Sequence, residues 1–61
     1  MHLRDACREV MDDETVMAKY PEGLTANDVM DEIEAKHPNG FPLMSWLDVY
    51  DEMREFYGAP R

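Results

Sequence analysis

The side chains of this sequence that could act in catalysis or metal binding are one cysteine, two histidines and 14 carboxylates. A cysteine nucleophile needs a neighbouring base that removes its proton, but Cys7 lies among apolar residues at helical spacing. Neither His2 nor His37 has further ligands at the spacing of a zinc site, which needs three or four. The pattern therefore predicts that Cys7 packs in the core and that the chain is not an enzyme.

The carboxylates follow no motif of a catalytic or ion-binding site. The densest acidic run, at residues 12–14, lacks the alternating acids and central glycine of a calcium loop. The sequence also contains no glycine-rich phosphate loop, nucleophile elbow or cofactor motif. We predict that the protein has no metal site and no cofactor, and that the acidic run is a solvent-exposed surface.

Composition indicates one small domain spanning residues 1–61. Apolar residues make up 44% and the formal net charge is -8, so a compact acidic fold is expected rather than a disordered chain. A core of this size is marginal, and a lone cysteine forms no internal disulfide, so self-association or a partner would add stability.

The sequence shows no signal peptide and no membrane-spanning stretch, which predicts a cytoplasmic protein.

Apolar residues recur at helical spacing along the whole chain and predict an all-α fold. The expected helices lie near residues 3–19, 25–37 and 42–57, followed by a frayed tail over residues 58–61. The acidic run could bend or restart the first helix. Thr25 is a natural N-cap with Asp28 three residues later, and the third helix could begin at Pro42 or at Ser45. The predicted core comprises Leu3, Ala6, Val10, Leu24, Val29, Ile33, Trp46, Val49, Tyr50 and Met53.

The second and third predicted helices resemble the helix-turn-helix core of winged-helix domains, as in ferric uptake regulators. The resemblance is carried by residues 23–33 (GLTANDVMDEI), the loop at 37–40 (HPNG) and residues 45–50 (SWLDVY). It covers roughly residues 23–57 and implies the three-helix core without the wing. It also implies that residues 45–57 form a DNA-recognition helix.

The charge of that helix argues against DNA as its partner. Its acids are Asp48, Asp51, Glu52 and Glu55, and its single base is Arg54. Affinity for DNA comes largely from Lys and Arg that neutralise phosphates. We therefore expect no direct binding to nucleic acid and none to membranes.

The same acids favour a partner protein with a basic patch. Asp28, Asp31 and Glu32 on the second helix could form a second acidic face, and acidic surfaces steer basic partners. Phe41, Met44, Trp46 and Phe56 are the candidate apolar anchors, because aromatic residues and Met are enriched in interfaces. We interpret the chain as a non-enzymatic interaction module that regulates or inhibits a partner.

In size and charge the chain is also similar to small acidic accessory proteins of bacteriophages, which bind a host regulator or mimic the charge of DNA. Three alternatives stay open: a helix-turn-helix DNA-binding regulator, a DNA mimic and a homodimeric structural module. A solvated acidic surface that only keeps the protein in solution would have the same composition.

A gel shift with duplex DNA tests the prediction about nucleic acid. At ~50 mM salt we expect no shifted band up to about 100 µM protein, the weak end of non-specific DNA affinities. A shift that weakens steeply as salt rises would contradict the prediction.

Overall fold

The computed structural model describes residues 2–58, and every regular element in this part of the chain is an α-helix. The predicted all-α fold is therefore confirmed. Four helices are present: α1 (Leu3–Met11), α2 (Glu14–Lys19), α3 (Ala26–Lys36) and α4 (Trp46–Gly58). The predicted frayed tail began at Gly58, but this residue is the last one of α4; residues 59–61 lie outside the described residues.

The first predicted helix, 3–19, is in fact two helices. Asp13 has an extended backbone (φ -80, ψ 115), and its carboxylate accepts a hydrogen bond from the Thr15 N–H at 2.8 Å. An aspartate in this position satisfies a free N–H at a helix start and so favours a new helix over continuation of the old one. The break thus lies within the acidic run, and α2 begins as a separate helix at Glu14.

Side-chain caps and prolines set the bounds of α3. Thr25 and Asp28 form a reciprocal capping box, with the Thr25 Oγ accepting from the Asp28 N–H and the Asp28 carboxylate accepting from the Thr25 N–H. Gly23 precedes it at φ +108, which only glycine adopts readily. At the other end, His37 takes a non-helical conformation before Pro38, as residues preceding proline usually do.

The fourth helix begins at Trp46, and the prediction of a start at Pro42 is wrong. Pro42 and Leu43 form a turn that is closed by a hydrogen bond from the Met44 N–H to the Phe41 carbonyl at 3.1 Å. Ser45 then caps the helix, since its Oγ accepts from the Asp48 N–H at 3.2 Å. Of the two starts that the sequence offered, the one with the side-chain cap is used.

Helices α1, α3 and α4 pack against one another around a single core, and α2 packs against α1. Fully or nearly buried core side chains are Ala6, Cys7, Val10, Met11, Val16, Ala26, Val29, Ile33, Val49 and Met53. Six of the ten predicted core residues belong to this set, and Leu3 and Leu24 are partly buried against it. Because burial disfavours the thiolate, the pKa of Cys7 rises to about 11, with nearby Glu52 adding to the effect.

The prediction of the core is wrong for two residues. Trp46 is 43% exposed and Tyr50 is 41% exposed, so both lie at the surface of the bundle. The physical reason is that α1 and α3 contact α4 on the side of Val49 and Met53, while these two rings lie to one side of it. Within residues 2–58, no helix is both long enough and apolar enough to cross a bilayer.

Ile33 is fully buried where the three larger helices meet, which makes it a sensitive probe of the core. We expect Ile33→Val to lower the free energy of unfolding by about 1 kcal/mol, through the lost methylene and the small cavity that it leaves. Leu43→Ala is the control: Leu43 is 90% exposed, so its truncation should change stability by less than about 0.5 kcal/mol. The assignment of Ile33 to the core is contradicted if urea denaturation shows that both variants lower the free energy of unfolding equally.

Candidate protein-interaction surface

The apolar face of α4 is wider than the part that its neighbours cover. Successive residues of a helix are rotated by about 100°, which places Val49 and Met53 on one side and Trp46, Tyr50 and Tyr57 on the adjoining side. The first two are buried, whereas the three aromatic residues are 41% to 54% exposed. The bundle therefore presents a row of aromatic rings beside its core.

Two of these rings form an ordered stack with a neighbouring arginine, which we call the α4 ladder: Trp46, Tyr50 and Arg54. The rings of Trp46 and Tyr50 are stacked, with centroids 4.8 Å apart and an interplanar angle of 11°. The guanidinium carbon of Arg54 lies 5.9 Å from the Tyr50 ring centroid, within the range of a cation–π interaction. The four-residue spacing places all three on one side of the helix.

An open groove of about 430 Å³ runs between the ladder and the start of α3. Its walls are mainly apolar and come from both elements: Leu24, Ala26, Trp46, Tyr50, Met53 and Tyr57. Thr25 and Arg54 complete the lining. The volume lies toward the lower end of the range for binding pockets, about 300–1,000 Å³, so it accommodates a few apolar side chains.

The acids of α4 lie mostly on its outer side. Asp48, Asp51 and Glu55 are exposed, and no ion pair within residues 2–58 involves them. Glu52 is half-buried and lies close enough to Cys7 to raise the pKa of the thiol. Three of the four acids predicted on this helix are thus available to a partner.

The acids of α3 do not form the predicted second face. Asp31 is exposed, but the Asp28 carboxylate is bonded in the capping box. Glu32, predicted to lie on a solvent-facing stripe, is only 8% exposed. It accepts hydrogen bonds from Lys19 Nζ and Tyr20 Oη, each at 3.0 Å to Oε2. Its carboxylate joins α2 to α3 and is not presented to a partner.

The contacts of Glu32 change the acid–base properties of this cluster. The hydrogen bond from Lys19, followed by that from Tyr20, holds the pKa of Glu32 below its ordinary value of 4.5, because both favour the charged carboxylate. The pKa of Tyr20 is raised, first because its hydroxyl donates to Glu32. The cluster is a structural tie in which each charged or polar group has a partner.

Of the other predicted anchors, Phe41, Met44 and Phe56 are partly buried against the core rather than exposed. The Phe41 ring contacts His37 edge-to-face with centroids 6.0 Å apart, and Phe56 contacts Tyr57 in the same way at 5.3 Å. Only Trp46 among the four predicted anchors has an exposed side chain.

Sequence reasoning missed three exposed residues of α4 that belong to the ladder or its groove: Tyr50, Arg54 and Tyr57. The signal was present, because α4 carries more apolar residues than one buried face can hold. In the described part of the chain, no group of three His, Cys, Asp or Glu side chains is arranged to hold a metal ion. The α4 ladder and its groove are therefore the strongest candidate site.

Comparison of the chain with family models, curated proteins and solved structures finds no significant match. The resemblance of residues 23–57 to winged-helix domains stays a prediction from sequence pattern.

The pKa of Glu32 predicts how stability depends on pH. Because this pKa is lower in the folded than in the unfolded chain, the stabilisation is complete above about pH 4.5 and is lost as pH falls through the folded value. We expect acidification below about pH 4.5 to lower the melting temperature less in Glu32→Gln than in the wild type.

The control variant is Glu34→Gln, which removes an exposed carboxylate from the same helix and changes the net charge equally. Its melting temperature should follow the pH profile of the wild type. The prediction fails if the wild type, Glu32→Gln and Glu34→Gln lose stability in parallel in thermal unfolding followed by circular dichroism.

Proposed function

We propose that this chain is a small, acidic, non-enzymatic module that regulates or inhibits a partner protein by binding it through α4. The observation that carries the proposal is the exposed ladder of Trp46, Tyr50 and Arg54. Trp, Tyr and Arg are the residue types most enriched among side chains that dominate binding energies. All three occur here in consecutive turns of one helix, beside an apolar groove.

The stacking within the ladder favours binding because it orders these side chains before a partner arrives. Immobilising a flexible side chain at an interface costs about 0.5–1.5 kcal/mol. Tyr50 is held between Trp46 on one side and Arg54 on the other, so less of this entropy remains to be lost. A partner that covers the ladder gains the burial of large rings at a reduced cost.

The exposed acids of α4 support a partner with a basic surface. Asp48, Asp51 and Glu55 add to a formal net charge of -8 and attract positive patches over distances of about a Debye length. Such fields accelerate association and reject partners of the wrong charge. A lone, buried and unpaired thiol at Cys7 supports a reducing compartment such as the cytoplasm.

The alternatives find less support. A DNA-binding regulator would need bases on α4, where Arg54 alone faces four acids. A homodimer through α4 would bring identical acids of two copies together, because a two-fold interface joins the same patch on each copy. A DNA mimic shares the acidic surface but leaves the aromatic ladder without a role.

A peptide display selection on the immobilised protein tests the proposal. We expect the selected peptides to bind Tyr50→Ala at least about thirtyfold more weakly than the wild type, since truncating a central interface residue costs about 2 kcal/mol or more. Trp46 is the only tryptophan, so its fluorescence should report binding directly. Covering the indole should shift its emission to shorter wavelength.

Met17→Ala is the matched control, because Met17 is an apolar residue of similar exposure, 46%, on the remote helix α2. It should bind the same peptides with unchanged affinity. Circular dichroism establishes that Tyr50→Ala is folded, and Tyr50→Phe should retain binding because it keeps the ring. The proposal is wrong if no peptide is enriched, or if binding does not depend on Tyr50.

A further inference from the structure

The groove between α3 and α4 favours one kind of occupant. We infer that it receives an amphipathic α-helix of the partner protein, with apolar residues at i, i+4 and i+7 on one face and Lys or Arg beside them. The inference rests on the proposed function, since it names the segment that the α4 ladder binds. It follows from the spacing, the backbone and the charge of the groove.

The spacing of the groove matches a helix. Trp46, Tyr50, Met53 and Tyr57 line it at intervals of four, three and four residues, a rise of about 4.5–6 Å per step. A partner helix repeats its apolar side chains at the same interval. Side chains on one face of a strand repeat at about 6.6 Å, so over these three steps a strand would be out of register by roughly 3–4 Å. A polyproline helix repeats at about 9 Å and fits less well.

The backbone of the groove offers little to an extended peptide. Both walls are helical or lead into a helix, and residues 2–58 contain no strand whose edge could pair with a peptide. The hydroxyl of Thr25, which lines the groove, accepts the N–H of Asp28 and leaves only its own O–H as a donor for a peptide. An extended segment in this apolar groove would leave backbone N–H groups without partners, which costs about 1–3 kcal/mol each. A helix satisfies its own backbone groups.

The charge beside the groove selects basic flanks. Around α4, the helical rotation places Leu47 next to the ladder and then Asp51 and Glu55, both exposed. Lys and Arg side chains can lie along apolar surface while their charged ends reach such acids. A second copy of this chain would instead bring another -8 charge to the same place.

Two peptide libraries, one helical and one extended, test the inference. Each is selected for binding to the wild-type protein and to Tyr50→Ala. The first displays Leu at i, i+4 and i+7 of an Ala-rich helix, with flanking positions that are either Lys or Glu. The second keeps the Leu residues and flanks but places Pro at every third position, which favours a polyproline helix. We expect Tyr50-dependent binders from the first library, with Lys exceeding Glu at the flanks by about tenfold.

A pair of charge variants checks where the bases bind. Asp51→Asn/Glu55→Gln should weaken the selected Lys-flanked peptides about tenfold, because short-range pairs are lost. Glu14→Gln/Glu34→Gln makes the same change in net charge at exposed sites that do not line the groove and should have little effect. Equal weakening by both variants would overturn the placement of the basic flanks beside α4.

The remaining outcomes separate the two proposals. Tyr50-dependent binders that carry Glu flanks, or that come from the Pro-containing library, overturn the inference and leave the proposed function standing. The inference is also overturned, and the proposed function stands, if Tyr50-dependent binders come only from the peptide display selection without a fixed pattern. If none of the three selections yields a Tyr50-dependent binder, the proposed function fails as well.

Discussion

The packing of α1, α3 and α4 around a small aliphatic core is the constraint on which the rest of the structure depends. Val10, Val29, Ile33 and Val49 are fully buried at the junction of these helices. Such short side chains bring the helices close together, so α1 and α3 cover only one side of α4. The apolar face of α4 extends beyond that side, and its residues Trp46, Tyr50 and Tyr57 stay 41% to 54% exposed. The groove is a consequence of this mismatch.

Charge is distributed unequally around this core. On the side of α2 and the end of α3, two of the acids are paired: Asp13 Oδ2 lies 2.8 Å from Lys36 Nζ, and Glu32 is bonded to Lys19. On α4 the exposed acids have no such partners among the described residues. Under the proposed function, these acids oppose self-association of molecules with exposed rings and favour a basic partner for the same rings.

Local sequence signals predicted most of the secondary structure. The capping box of Thr25 and Asp28 appears as expected, and so does the end of α3 before Pro38. These features depend on residues within one turn of each other, so their outcome is decided locally. The separate start of α2 at Asp13 and the late start of α4 after Ser45 follow from the same capping chemistry. At each of these two places the sequence is compatible with two helix starts, and local signals alone do not decide between them.

The sequence by itself determined that the chain is acidic, helical and rich in aromatic residues near its end. Only the tertiary structure decided which of those residues face inward. Helical periodicity gives the angular width of an apolar face but not how much of it the neighbouring helices cover, so Trp46 and Tyr50 could not be assigned to the surface. Likewise, Glu32 is buried because Lys19 and Tyr20, more than ten residues earlier, meet it only after folding.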